Sequence, residues 1–206
     1  MNKFFVFCKS DGICNAIYLS LKTIFSFLFS YSRTVFLESS ERFECDNRSC
    51  KLELVELKAD EYHAIKFDRL ALLPVEKWLS SGLSRCVLGY DDTAGYQSFG
   101  WIHKRTYHIH NLGDFHLDDN EFWLGPSFVN VNFRGNGIQK SMILWRMQLY
   151  KKKSKYYTSV NWRNVASLKS FEHCGFQIIG ETLVIRIFGK VVVSEIKGEV
   201  VKNKLK

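Results

Sequence analysis

Proline is scarce. Only Pro74 and Pro126 occur in 206 residues, and neither lies in a stretch that could serve as a linker. No segment is dominated by Pro, Ser or Gln and no internal repeat is visible, which excludes a low-complexity or repeat architecture. The six cysteines, at 8, 14, 45, 50, 86 and 174, form no C-x-x-C pair, and no histidine stands at zinc-finger spacing, so no structural metal is expected. A chain of this size builds a core without disulfides, and free thiols in a reducing cytoplasm are expected. No apolar run reads as a signal-peptide core, because Cys8-Lys9-Ser10-Asp11 interrupts MNKFFVF early, and secretion is not expected.

The later segment Ile13 to Arg33 is diluted by Asn15, Lys22 and several serines below the apolarity of a spanning helix. Its residues Ile13, Ile17, Leu21, Ile24, Phe25 and Leu28 recur at helical spacing. This predicts an amphipathic helix, docked on the domain or a partner, with peripheral contact to the inner membrane face through residues 13–33 as the other outcome.

What is present suits one globular domain. The content of 46% hydrophobic and 15% aromatic residues supplies a core. The net charge of +8 favours an anionic partner. Only Lys151 to Lys153 and the trio Lys202, Lys204 and Lys206 are bunched, which reads as a solvated helix end and a frayed terminus, so nucleic acid is not an expected partner.

Along the chain, the polar stretch Glu38 to Ser49 divides an N-terminal extension, residues 1–50, from a main domain, residues 51–206. KLELVEL alternates as a strand, and a helical region broken near Pro74 follows it. Strands over Arg85 to Tyr90 and Tyr96 to His103 flank a turn and form a hairpin. After a His-rich connection, Glu121 to Val131 reads as a strand that bulges at Gly125-Pro126, because proline has no ladder donor. Helix Asn136 to Lys151, strand Tyr156 to Asn161, helix Val165 to Cys174 and a hairpin with a type II′ turn at Gly189 complete the order. The fold class is α+β: a mixed, mostly antiparallel central sheet with flanking helices, preceded by the N-terminal amphipathic helix.

The bend Arg134-Gly135-Asn136-Gly137-Ile138-Gln139 joins strand to helix. Glycines permit a sharp turn and close approach of a ligand, while the first helical N–H groups stay unpaired at the positive end of the dipole. Such a mouth suits phosphate, and Arg134 adds a fork of donors. The same hexapeptide also fits a plain tight turn. Neither the P-loop nor the dinucleotide fingerprint is spelled here. Ile138, Met142, Trp145 and Leu149 form the stripe expected to pin the helix. Downstream, Asn164 suits an N-cap and Gly175 a left-handed C-cap.

Together the two segments resemble the GNAT superfamily of acyl-CoA N-acyltransferases. Arg134 and Gly137 match its Q/R-x-x-G-x-G/A motif, and Gln139 departs at the last position. Asn164, Ser167, Gly175 and Phe176 match the second pattern, with Phe171 where the family has tyrosine. The resemblance implies acetyl-CoA or another acyl-CoA as co-substrate, without a metal. It would lie between strands diverging after Val131 and along Tyr156 to Asn161. Main-chain groups of Ser127, Phe128 and Val129 would pair with pantetheine. Amides of Arg134, Gly135, Asn136, Gly137, Ile138, Gln139 and Lys140 would hold the pyrophosphate, and Asn164 would approach the thiol end.

The usual tyrosine acid is absent at Phe171, and Ser159 stands where a glutamate base is common. Glu121 is the expected base, with His108, His110 and His116 behind it, while Asp114, Asp118 and Asp119 offer either attraction for a cationic amine or a solvated loop. Cys174 reads as core. The expected activity is acyl transfer to a small-molecule amine, an amino sugar being one candidate, with a homodimer as an allowed assembly. A peptide acetyltransferase and a silent CoA-binding domain are the alternatives.

Overall fold

The structure, a computed structural model, describes residues 28–40, 51–65, 67–150 and 154–206. In chain order these form β1 (Phe29–Ser39), β2 (Glu53–Glu56), α1 (Asp68–Ala71), α2 (Val75–Ser80), β3 (Ser84–Asp91), β4 (Gly95–His103), β5 (Thr106–Ile109), β6 (Gly113–His116) and β7 (Glu121–Val129). Then follow α3 (Ile138–Gln148), β8 (Lys155–Asn161), α4 (Val165–Glu172), β9 (Gln177–Ile187), β10 (Lys190–Lys197) and α5 (Glu199–Lys204). Eight strands make one sheet in the order β10-β9-β1-β8-β7-β4-β3-β2, and β5 and β6 form a separate ribbon. Every neighbouring pair is antiparallel except β7 and β8. The mixed, mostly antiparallel sheet with flanking helices agrees with the expected class.

The main departure is β1. The expected N-terminal extension includes Phe29–Ser39, with Phe29 to Arg33 ending the amphipathic helix, yet this segment is an interior strand between β9 and β8. Val35, Phe36 and Leu37 are consecutive and all buried, since an interior strand is covered on both faces. A short run of that kind lacks the alternation that marks a half-exposed strand. The central sheet therefore includes Phe29–Ser39. Residues 13–27 of the expected helix, and most of the polar stretch after β1, lie outside the described residues.

On one face of the sheet, Ile143 of α3 and Phe171 of α4 pack with Leu37, Ile102, Leu124 and Tyr156. On the other, α1 and α2 cover Leu88, Phe99 and Trp101, while the β5–β6 ribbon and α5 cover Phe36, Trp123 and Tyr157. Each large apolar side chain withdrawn from water in this way stabilises the fold by roughly 1.5–3 kcal/mol.

Two local expectations change. The loop joining β9 and β10 is Phe188-Gly189, with φ of 49° and 73°, because Lys190 pairs with Ile187. Positive φ at both positions is a type I′ turn, not II′, and it suits the right-handed twist of the strands. The basic tail is also no frayed end. Val201 and Leu205 are buried, and Lys206 exchanges main-chain hydrogen bonds with Asp114 of the ribbon at 2.9 and 3.0 Å.

Candidate active site

β7 and β8 pair only from Glu121↔Lys155 to Trp123↔Tyr157. Beyond that, β7 stays on β4 and β8 stays on β1, so the two strands part into a wedge. The cause is local. The β4–β7 register passes from Gly100↔Ser127 to Ile102↔Leu124, which leaves Gly125 and Pro126 together opposite Trp101. This is the bulge expected from the sequence. An extra residue bends and twists its strand, and Pro126 brings no N–H to the ladder. At the apex the Thr158 hydroxyl donates to the Leu124 carbonyl at 2.7 Å.

The bulge decides which peptide groups face the wedge. The Asn130 N–H donates to the Gln97 carbonyl of β4 at 2.8 Å. Main-chain groups alternate in direction along a strand, so those of Val129 and Ser127 turn away from β4 toward the opening. Arg134 Nε, donating to the Val129 carbonyl at 3.1 Å, marks the same side. Phe128 is a correction. Its peptide groups point at β4 by the same alternation, and it contributes a ring that packs on Phe99 and Phe67, each with centroids 5.9 Å away.

The glycine-rich bend closes one end of the wedge. Gly135 and Gly137 have φ of 81° and 73°, and a Cβ on either would meet no heavy atom within 4 Å. The backbone there is left-handed and borders open space. Gly137 caps α3 without a side chain. The first N–H groups of α3, on Ile138, Gln139 and Lys140, have no carbonyl four residues back within the helix to receive them. Asn136 is not part of the lining, and its side-chain Nδ2 donates to the carbonyls of Phe133 and Arg134 at 3.2 and 3.3 Å, bracing the bend. Ile138 and Met142 are buried as the stripe requires, but Trp145 is half-buried. Ile143, Leu144, Arg146 and Met147 widen the buried face.

α4 forms the facing wall. Asn164 Oδ1 accepts from the Ser167 N–H at 3.2 Å, the cap anticipated for it. Gln139 does not crowd the bend. Its side chain reaches across and donates to Ser167 Oγ at 2.8 Å, tying the two helix mouths together. Phe171 is buried on the inner wall, against Phe176 at 5.0 Å, and Ser159 lines the wedge from β8.

The inner end is closed by two residues that no sequence motif singles out. Tyr107 of β5 stacks on Trp123 of β7, centroids 4.8 Å apart and planes 13° from parallel. Burial pushes the Tyr107 phenol up to about 12. Next to it lies the His103 ring at 4.9 Å, whose Nδ1 is 2.8 Å from Ser84 Oγ. Burial lowers His103 to about 4, so it is neutral at physiological pH. The whole cleft holds about 610 Å³, lined by Ser127, Val129, Arg134, Gly135, Gly137, Gln139, Lys140, Thr158, Asn164 and Tyr107 among others. That volume is within the range of small-molecule sites.

Glu121, the expected base, is elsewhere. It sits at the paired end of β7, six residues or ~20 Å of strand from Ser127. Its carboxylate accepts from the Tyr157 hydroxyl at 3.1 Å, from the Asp118 N–H at 2.8 Å and from Lys204 of α5. It borders a separate hollow with Glu38, His116 and Lys155. This is a structural anchor for the C-terminal helix. Glu121→Gln is expected to lower unfolding free energy by about 1–3 kcal/mol in urea titrations, because Lys204 loses the more buried of its two carboxylate partners and keeps only the exposed Asp118. The shape of any pH–rate profile should stay the same.

The other loop candidates also fall outside the cleft. His108 pairs with Asp114 at 2.7 Å on the exposed ribbon, Asp118 meets Lys204, and His110, His116 and Asp119 are exposed. Cys174 is fully buried, in keeping with a core role. Among the described residues no group of three or more His, Cys, Asp or Glu could hold a metal ion.

Comparison with solved structures places this architecture. A GNAT-family protein from Novosphingobium aromaticivorans superposes with a TM-score of 0.52 at 12% identity, over 76% of this chain and 64% of its own. The fold is that of the GNAT acetyltransferases. A GNAT-family acetyltransferase from Colwellia psychrerythraea matches at 0.49 and 13% identity, over 77% of this chain and 56% of its own. An aminoglycoside N-acetyltransferase solved with CoA matches at 0.45 and 17% identity, over 61% and 91%. The chain thus spans 56% and 64% of the lengths of the Colwellia and Novosphingobium proteins. No family model and no curated protein matches the sequence. In this GNAT-type fold the wedge and the α3 mouth belong to one continuous cleft.

Proposed function

We propose that the chain is an acyl-CoA-dependent N-acyltransferase acting on a small-molecule primary amine. The observation that carries this is the union, in one cleft of about 610 Å³, of a splayed strand with outward peptide groups and a helix mouth with open amides. An extended amide-containing arm pairs with the first, and a diphosphate with the second. Ser127 and Val129 serve the pantetheine arm. The amides of Ile138, Gln139 and Lys140 receive the diphosphate, and Arg134 turns from the Val129 carbonyl to charge-assisted bonds with it.

The thioester then lies toward the apex, near Thr158, Tyr107 and Trp123. The neutral amine attacks the thioester carbon, the carbon–nitrogen bond forms and the carbon–sulfur bond breaks. The departing thiolate takes the Tyr107 proton, and the new ammonium gives its surplus proton to water, from which the phenolate is reprotonated. No carboxylate base among the described residues lines the cleft. The chemistry therefore rests on positioning, which supplies ~7–11 kcal/mol in well-oriented reactions, and on the acid.

The test is CoA and acetyl-CoA binding by calorimetry, then thiol release from acetyl-CoA with a panel of small amines, amino sugars and a lysine-bearing peptide. Amine-dependent release with a small acceptor is expected. Absence of CoA binding overturns the assignment, binding without release makes the chain a silent CoA-binding domain, and release only with the peptide moves the acceptor to polypeptides.

A further inference from the structure

Arg146 is entirely buried, yet no acidic side chain among the described residues pairs with it. A guanidinium taken from water without a counter-charge is costly, so its presence under the sheet needs a reason. The hydrogen bonds point to one. Nε donates to the Met142 carbonyl of its own helix at 3.0 Å, and Nη1 reaches into the sheet to the Trp101 carbonyl at 2.8 Å.

Trp101 is the β4 residue facing the bulge, opposite Gly125 and Pro126. In an uninterrupted ladder its carbonyl receives an N–H from the strand alongside, and Pro126 has none to give. The neighbouring β4 residue is Gly100, where an added Cβ would stand 2.8 Å from Cζ and 3.0 Å from Nε and Nη1 of Arg146. Nε and Nη1 each hold a carbonyl while Nη2 is buried without a hydrogen-bond partner, so the guanidinium could not move aside without giving up one of those carbonyls. Gly100 leaves the space, Arg146 fills it with a donor, and the donor serves the carbonyl at the point where β7 departs from regular pairing.

We propose that Arg146 is a positioning residue that stands in for the donor missing at Pro126 and so holds the β4–β7 bulge, and with it the mouth of the cleft, in its splayed form. The part concerning the bulge stands on geometry alone. The consequence for acyl-CoA rests on the functional reading above.

Four variants test it: Arg146→Leu, Arg146→Lys, Gly100→Ala and the double Gly100→Ala/Arg146→Leu. Amide hydrogen exchange is read along β3, β4 and β7 together with CoA affinity per folded molecule. In Arg146→Leu, amides flanking the bulge in β4 and β7 should exchange about tenfold faster, while those of β3 change less, because opening is local. CoA affinity should fall about tenfold with them, since the peptide groups of Ser127 and Val129 lose their fixed direction.

Arg146→Lys still carries a donor and should recover part of both losses. Gly100→Ala alone should reproduce the effect, because the guanidinium is then displaced, and should add little in the double variant, where the shorter leucine leaves the space free. If Arg146→Leu does not fold, Gly100→Ala and Arg146→Lys carry the same readouts. Uniform acceleration over all three strands, or lower melting temperature with unchanged local exchange and CoA affinity, overturns the proposal and leaves Arg146 a packing residue. If the parent protein does not bind CoA, the functional reading fails by itself, and the exchange pattern still decides the role of Arg146.

Discussion

Gly137→Val is expected to weaken CoA binding by about 100-fold, close to 3 kcal/mol at 1.4 kcal/mol per tenfold. Two effects add. At φ of 73° a side chain meets its own backbone, at roughly 1–2 kcal/mol, and a β-branched one suffers most. No protein atom lies within 4 Å of the added Cβ, so the valine methyls project into the space above the α3 amides that the diphosphate needs.

Gly137→Ala separates the two effects. It carries part of the backbone strain with less obstruction, so its melting temperature should fall by less than that of the valine variant, and its CoA affinity should fall much less. Calorimetry and thermal denaturation on the pair decide the matter. Parent-like affinity in the valine variant would remove the α3 mouth from the binding site.

Tyr107→Phe should lower kcat by about 100-fold and leave CoA affinity almost unchanged. Proton transfer by a positioned acid contributes roughly 10²–10⁴-fold, and the low end applies because a thiolate departs readily without much help. The ring stays, so the stack on Trp123 at 4.8 Å and the shape of the inner end are kept. Burial raises the Tyr107 phenol, which keeps it protonated at neutral pH and also makes it a weak donor toward a thiolate, a second reason for the low end of that range. An acyl donor whose thiol has a lower pKa should lose less in the variant, because its leaving group needs the proton less. Equal kcat in parent and variant would reject Tyr107 as the acid.

The features legible in advance share a property. Gly135 and Gly137 announce left-handed backbone because a residue with a Cβ resists it, Asn164 announces a cap because its oxygen reaches the amide three residues on, and Gly125-Pro126 announces a bulge because one N–H is missing. Each is decided within a few residues. Glu121 is legible as a charged residue at the start of a strand, but not as the partner of Lys204, which is 83 residues away. Phe29–Ser39 escapes because an interior strand and part of a buried helix show similar short apolar runs. Gln139 is legible as a departure from a motif, and only the approach of α4 gives its amide a hydroxyl to meet.

The sequence by itself determined where the chain bends, which helices begin with exposed amides and which strand must lose its pairing, since torsional sterics and donor counts act locally. Tertiary structure alone decided that β1 enters the middle of the sheet, that Tyr107 rather than Glu121 reaches the cleft, and that Arg146 serves the carbonyl of Trp101. Those outcomes depend on which faces bury one another. Burial is not directional, so a string of residues cannot name its own distant partners.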